Sequence, residues 1–182
     1  MRGKIFQIST LDQLRTGEPH HPQKDEAGDA IIGRWGLEGD CHNREMRRSF
    51  SKPGTFKPNI DRHITLLAIE VIDSLNQELG LEMRPGTLGE NITTQGLGDL
   101  FNIADGSRIF IRNPAGSELC VLRVTEQNEP CINLSTIHRL LVKRIYKRRG
   151  LLCSIVSGIG NRIMSGDPIE VIAWSATRQS PD

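Results

Sequence analysis

"LLCSIVSGIGNRIMSGDPIEVIAW", residues 151–174, is the stretch on which the choice of fold turns. Gly158 and Gly160 hint at the glycine-rich turn of a dinucleotide-binding unit, in which the glycines open a helix whose N-terminus receives a pyrophosphate. Here the glycines lead through the turn residues Gly166, Asp167 and Pro168 into "PIEVIAW", a short apolar run of strand character. A dinucleotide site is therefore excluded, and the chain reads as strand-rich.

Working outward, further runs of the same kind recur: "KIFQIS", "RHITLL", "NITTQGL", "SRIFIR" and "ELCVLRVT", with Gly, Pro, Asn and Asp between them. Their number favours a barrel or curled sheet over a three-layer α/β fold. The expected class is mainly β with a few helices. Two segments carry helical periodicity. In "LLAIEVIDSLNQELG", Ala68, Val71, Ile72, Leu75 and Leu79 recur at three- and four-residue steps, and Gly80 is a natural stop. In "NLSTIHRLLVKRIYKRRG", Ile137, Leu140, Leu141 and Ile145 form the apolar face, Asn133 or Ser135 can cap the start, and Gly150 closes the end. Residues 40–61, rich in Arg, Lys, Pro and Gly, fit neither period and read as a long loop, and residues 175–182 read as a frayed tail.

At 182 residues the chain is expected to be one domain. Its 23 Lys and Arg against 22 Asp and Glu leave a formal charge of +1, which nominates neither nucleic acid nor a membrane surface as partner. Scarce aromatics argue against a stacking platform for single strands. No apolar run approaches the ~20 residues of a membrane helix, and "MRGKIFQIST" lacks a signal-peptide core, so the expected location is cytoplasmic. The four cysteines form no CxxC pair and are expected to be reduced thiols.

Four groups of residues could carry chemistry. Cys131, in "VTEQNEPCINLSTIH", stands where a strand gives way to a helix. The positive end of a helix would favour its thiolate, Glu126 and Glu129 would oppose it if near in space, and the bland alternative is a small buried hydrophobe. Cys120 and Cys153 sit inside apolar runs as core filler. "GLEGDCH" gathers Asp40, Cys41 and His42, possible metal ligands whose spacing matches no zinc knuckle; a Gly-Asp turn is the alternative. "RPGTLGENIT" offers free backbone N–H groups around Gly86 and Gly89, with Glu90 and Asn91, suited to a phosphate-bearing ligand or simply to a polar turn; the P-loop pattern is absent. Finally, Arg139, Lys143, Arg144, Lys147, Arg148 and Arg149 occur with no acidic residue among them, and Arg44, Arg47 and Arg48 follow the Asp-Cys-His stretch; both groups could attract an anionic ligand or partner.

In this order, "GLEGDCH", "RHITLLAIEVIDSLN", "RPGTLGENIT", "VTEQNEPC" and "GIGNRIMSGDPIEVI" resemble the MOSC domain, the family named for the C-terminal domain of molybdenum cofactor sulfurases. The matching pieces span residues 36–172. The resemblance implies a closed strand-rich β-barrel and a cysteine, aligned with Cys131, that carries sulfur or ligates the molybdenum of a pyranopterin cofactor. It makes Asp40, His42, Arg62, His63, Glu90 and Asn91 pocket candidates, with backbone of Gly86 and Gly89 near the pterin or its phosphate. The chain has no pyridoxal-phosphate desulfurase domain and no cysteine set for an iron–sulfur cluster. The implied partner is therefore an external sulfur donor, such as a pyridoxal-phosphate-dependent cysteine desulfurase, or an external electron donor protein. Sulfur transfer through Cys131 leads; a molybdenum-dependent reductase of N-hydroxylated compounds with Cys131 as metal ligand, and a non-catalytic module docking an acidic protein through basic residues, are the competing readings.

Overall fold

The computed structural model describes residues 1–11, 23–48 and 54–174; the tail expected over 175–182 lies outside the described residues. The six runs singled out above, and the "LLCSIVS" that opens residues 151–174, form strands: β1 (Arg2–Thr10), β6 (Ile64–Ala68), β7 (Ile92–Gln95), β8 (Arg108–Arg112), β9 (Glu118–Gln127), β10 (Leu151–Ser157) and β12 (Pro168–Ile172). They pair in the order β12-β8-β9-β10-β6-β7-β1, and β1 pairs back onto β12 through Arg2↔Glu170 and Lys4↔Pro168. The sheet is thus a closed seven-stranded barrel, which removes the exposed edges an open sheet would leave.

Alternation explains the closure. In β8 the inward side chains are Ile109 and Ile111, in β9 Cys120, Leu122 and Val124, in β12 Ile169 and Val171, all buried in one core cluster with Ile5, Ile64, Leu66 and Ile92. The glycine turn of 158–166 carries a three-residue strand, β11 (Arg162–Met164), which pairs with β3 (Asp29–Ile31) and leads on to β12. A short β2 (Asp25–Glu26) pairs with the end of β1.

Every ladder of the barrel is antiparallel except β6–β7, which is parallel and needs a crossover. That crossover is α1 (Ile69–Leu79), which buries Ile69, Val71, Ile72 and Leu75 and ends on Gly80 in the left-handed conformation, φ 65°. Ala68, counted in the helical face by periodicity, ends β6 instead.

Two expectations are revised. The 40–61 loop contains a two-stranded ladder, β4 (Met46–Arg48) with β5 (Phe56–Pro58). The continuous helix expected over 133–150 is broken into a five-residue 3-10 turn, Ile132–Thr136, and a four-residue helix α2 (Leu141–Arg144). The hydroxyls of Ser135 and Thr136 donate to the carbonyls of Ile132 and Asn133, at 2.6 and 2.7 Å, offering the backbone a local alternative to a long helix. Leu134, Leu141 and Ile145 reach the core, whereas Leu140 is exposed.

Candidate functional site

Asp40 follows Gly39, whose φ of 81° turns the chain so that the carboxylate points inward. It is 1% exposed. Oδ2 accepts from Lys24 Nζ at 2.8 Å, Leu11 N at 3.1 Å and Asn91 Nδ2 at 3.1 Å, and Oδ1 accepts from His42 N at 2.8 Å. Burial opposes the charged form, but His42 and Lys24 together hold the carboxyl well below the usual carboxylate range. His42, with its side chain 65% exposed, places Nδ1 3.1 Å from Asp40 Oδ1 and 3.3 Å from Cys41 Sγ; the carboxylate first and the sulfur second raise its pKa to about 9.

The glycine loop is tied to this cluster. Gly86 O accepts from Lys24 N at 2.9 Å, and Gly86 N donates to Glu90 Oε1 at 2.6 Å, an oxygen that also accepts from Thr93 Oγ1 at 3.1 Å. Gly86 has φ 86°, and a Cβ there would lie 2.5 Å from Lys24 O, so only glycine fits. Gly89 N closes the turn onto Gly86 O at 3.1 Å. Asn91 takes the amide and hydroxyl of Thr65 on its Oδ1, at 3.2 and 3.0 Å. Glu90 is buried with Oε2 unpartnered, and desolvation pushes its carboxyl pKa up.

Cys131 lies between Pro130 and the 3-10 turn, in extended conformation with φ −97° and ψ 143°. It is half-buried, whereas Cys41, Cys120 and Cys153 are buried; desolvation pushes the thiol of Cys120 up to about 12 and that of Cys153 higher still. A five-residue 3-10 turn has little dipole, so the helix-end argument for the thiolate does not apply. The positive charge beside Cys131 comes from Arg149. Its guanidinium donates to Glu129 O at 2.6 Å and Leu88 O at 3.3 Å, binding the cysteine segment to the glycine loop, and its field acts on both Cys131 and Glu90. Arg149 Nε is buried without a partner. Glu126, which could have opposed a thiolate, is engaged with Arg62 Nε at 2.6 Å.

The structure thus joins Asp40, His42, Gly86, Gly89, Glu90 and Asn91 in one network and attaches the Cys131 segment to it through Arg149. The other two candidates stand apart from that network. Arg62 meets Glu126, next to a shallow depression lined by Asp61, Asp105, Arg123 and Glu126. His63 is buried with both ring nitrogens used: Nε2–H donates to Asn59 O at 2.8 Å and Nδ1 accepts from Ile155 N at 3.0 Å, the tautomer following from those partners. Burial pulls its pKa down. Two members of the network escaped sequence reading. Lys24 carries no motif, and Arg149 reads as one charge among six until the backbone shows that it turns inward at Gly150.

Fold and site together define a closed β-barrel with one reachable thiol set beside a buried polar network and a glycine loop. Residues 47–170 match the model of the MOSC domain, and the chain belongs to the MOSC domain family. YuaD of Bacillus subtilis (strain 168), a protein named for metal-sulfur cluster biosynthesis, is 26% identical over 155 residues, covering 76% of this chain and 77% of YuaD. The crystal structure of the Bacillus subtilis YuaD protein shares the fold with a TM-score of 0.79 at 22% identity, over 96% of this chain and 98% of that one. YiiM from Escherichia coli shares it with a TM-score of 0.61 at 19% identity, over 96% and 71%. Among the described residues no helix is long and apolar enough to cross a membrane.

Proposed function

We propose that this MOSC protein carries sulfur on Cys131 in the service of a molybdenum cofactor. The observation that carries the proposal is that Cys131, alone among the four cysteines, is not buried, and that it lies in the field of Arg149. The chemistry available to such a thiol is exchange with a donor persulfide. The Cys131 thiolate attacks the outer sulfur of the donor; the donor's S–S bond breaks as a new S–S bond to Cys131 forms, and the donor leaves as its thiolate, with no net oxidation. Arg149 sets a positive charge near Cys131 and holds the cysteine segment against the loop at Leu88.

Two buried polar atoms are left for a cofactor to meet, a donor suited to an anionic tail and an acceptor suited to a ring N–H. Arg149 Nε is a buried donor with no partner, and Glu90 Oε2 is a buried acceptor with none. Arg149 would hold the anionic end, with Cys131 near it to hand on sulfur; the N–H groups of Gly86 and Gly89, which the sequence offered as free for a phosphate, are committed to Glu90 Oε1 and Gly86 O, so this loop shapes the site, and Asp40, bonded to both Lys24 and Asn91, fixes it. When bound, such a cofactor supplies a metal centre able to take up sulfur. The sulfur donor is a separate protein, of the kind a cysteine desulfurase represents.

The test is persulfide transfer. Protein mixed with a desulfurase and cysteine should gain the mass of one sulfur atom on the peptide containing Cys131, a gain lost in Cys131→Ala and kept in Cys120→Ala. A Cys131 that never takes sulfur, in a molybdenum-loaded protein that reduces an N-hydroxylated compound with an artificial electron donor, would replace this reading by the reductase.

A further inference from the structure

The geometry points to a second site: Asp40, Cys41 and His42 form a binding site for one divalent transition-metal ion of the zinc class. One donor atom from each of these three consecutive residues lies within 4.8 Å of the others. His42 Nδ1 stands 3.1 Å from Asp40 Oδ1 and 3.3 Å from Cys41 Sγ. Zinc bonds of roughly 2.0–2.3 Å in a tetrahedron set ligand edges of about 3.4 Å for N···O and about 3.6 Å for N···S. These two pairs therefore need to open by only about 0.3 Å, and the third, between the Asp40 carboxylate and Cys41 Sγ, already lies within 4.8 Å.

The donor set selects the ion. Mixed sulfur, imidazole and carboxylate ligands suit zinc or cobalt and discriminate against magnesium and calcium, which require oxygen. The carboxylate is already oriented as a ligand needs to be, with Lys24, Leu11 N and Asn91 on Oδ2 and the His42 amide on Oδ1. Charge is accommodated too. Cys41 would bind as its thiolate and His42 through an unprotonated Nδ1, so metal binding releases protons to solvent, while Lys24 stays on Oδ2. With three protein ligands and an imidazole that is 65% exposed, a fourth position is left for water or a small ligand. The inference does not depend on the role proposed for Cys131.

Cobalt(II) is the probe, because a thiolate ligand gives a near-ultraviolet charge-transfer band and four-coordination gives intense visible bands. Titration of the full chain should show both at one equivalent, with zinc but not magnesium erasing them. Cys41→Ser should abolish the charge-transfer band, Cys131→Ala should leave it unchanged, and His42→Ala should weaken cobalt binding tenfold or more. Because the His42 ring is exposed, that variant folds even if Cys41→Ser does not. Absence of both bands in the wild type, or a charge-transfer band that survives Cys41→Ser and disappears in Cys131→Ala, would overturn the assignment.

Discussion

Removing the Asp40 carboxylate should destabilise the fold far more than removing its ammonium partner, although the two side chains are equally buried at 1% exposure and meet at 2.8 Å. The asymmetry lies in what each leaves behind. In Lys24→Met the carboxylate keeps Asn91 Nδ2, Leu11 N and the His42 amide and ring as donors. The loss is then one hydrogen bond between charged groups, about 2–3 kcal/mol. In Asp40→Ala the Lys24 ammonium remains buried with its carboxylate gone, and the amides of Leu11 and His42 lose an acceptor, so the cost rises to about 4–5 kcal/mol. For a chain of this size that is a fall in Tm of about 8–20 °C. Urea unfolding followed by Trp35 and Trp174 fluorescence measures both variants, and the double variant Lys24→Met with Asp40→Leu, which buries no charge, should be more stable than Asp40→Ala alone. Equal costs for the two single variants, or an Asp40→Ala cost below about 1 kcal/mol, would refute the view that Asp40 organises the site.

Three shorter predictions accompany it. His42, whose folded pKa is raised to about 9, contributes stability fully below its unfolded pKa near 6.5 and loses it as pH climbs through 9, while Asp40, with a depressed pKa, contributes above about 4; the stability advantage of wild type over His42→Ala should therefore shrink between pH 6.5 and 9, as urea midpoints at successive pH values will show. Iodoacetamide at neutral pH should label Cys131 well before Cys120 or Cys153, whose thiols burial holds protonated, and peptide mass mapping that found either of those two labelled first would contradict the site. Gly150→Ala should cost about 3 kcal/mol or more in urea unfolding, because φ is 80° and the added Cβ would overlap Leu66 O.

The barrel strands were legible because each buries one face, and alternation such as Ile109–Ile111 or Ile169–Val171 survives in sequence as a period of two. The strands that escaped, β2, β3, β4, β5 and β11, are two or three residues long, too short to establish any period. The second helix failed for a different reason. Ile137, Leu141 and Ile145 of its apolar face do reach the core, though Leu140 does not, but Ser135 and Thr136 turn their hydroxyls onto the backbone and Lys147 adopts a positive φ of 61°, so contacts that suggest one helix are made by two short turns. At the site, Gly86, Glu90 and Asn91 could be named from their residue types, whereas Lys24 acquires its meaning only when Gly86 O and Asp40 close around it.

The broken helix also redistributes the basic charge. Read from the sequence alone, the six cations form one undivided basic run. Instead Arg148 spans Glu78 Oε1 and Ser74 Oγ on α1, both at 2.8 Å, and Arg149 turns inward to Glu129 O and Leu88 O. Lys147 stands 5.7 Å from the ring centroids of Phe101 and Tyr146, and Arg139, Lys143 and Arg144 remain exposed. On the proposed function, attraction of an anionic partner would fall to Arg139, Lys143, Arg144 and Lys147, all exposed, whose influence fades over about 8–10 Å near physiological ionic strength. Reversing Lys143 and Arg144 to Glu should slow association with a sulfur donor and flatten its salt dependence while leaving Cys131 alkylation unchanged. Arg149→Gln should do the opposite, slowing alkylation of Cys131 at any salt concentration, since it withdraws a cation that ties the thiol's segment to the glycine loop. Stopped-flow association and alkylation rates on the two variants separate long-range steering from local activation, and a Cys131 indifferent to Arg149 would remove the electrostatic basis for its reactivity.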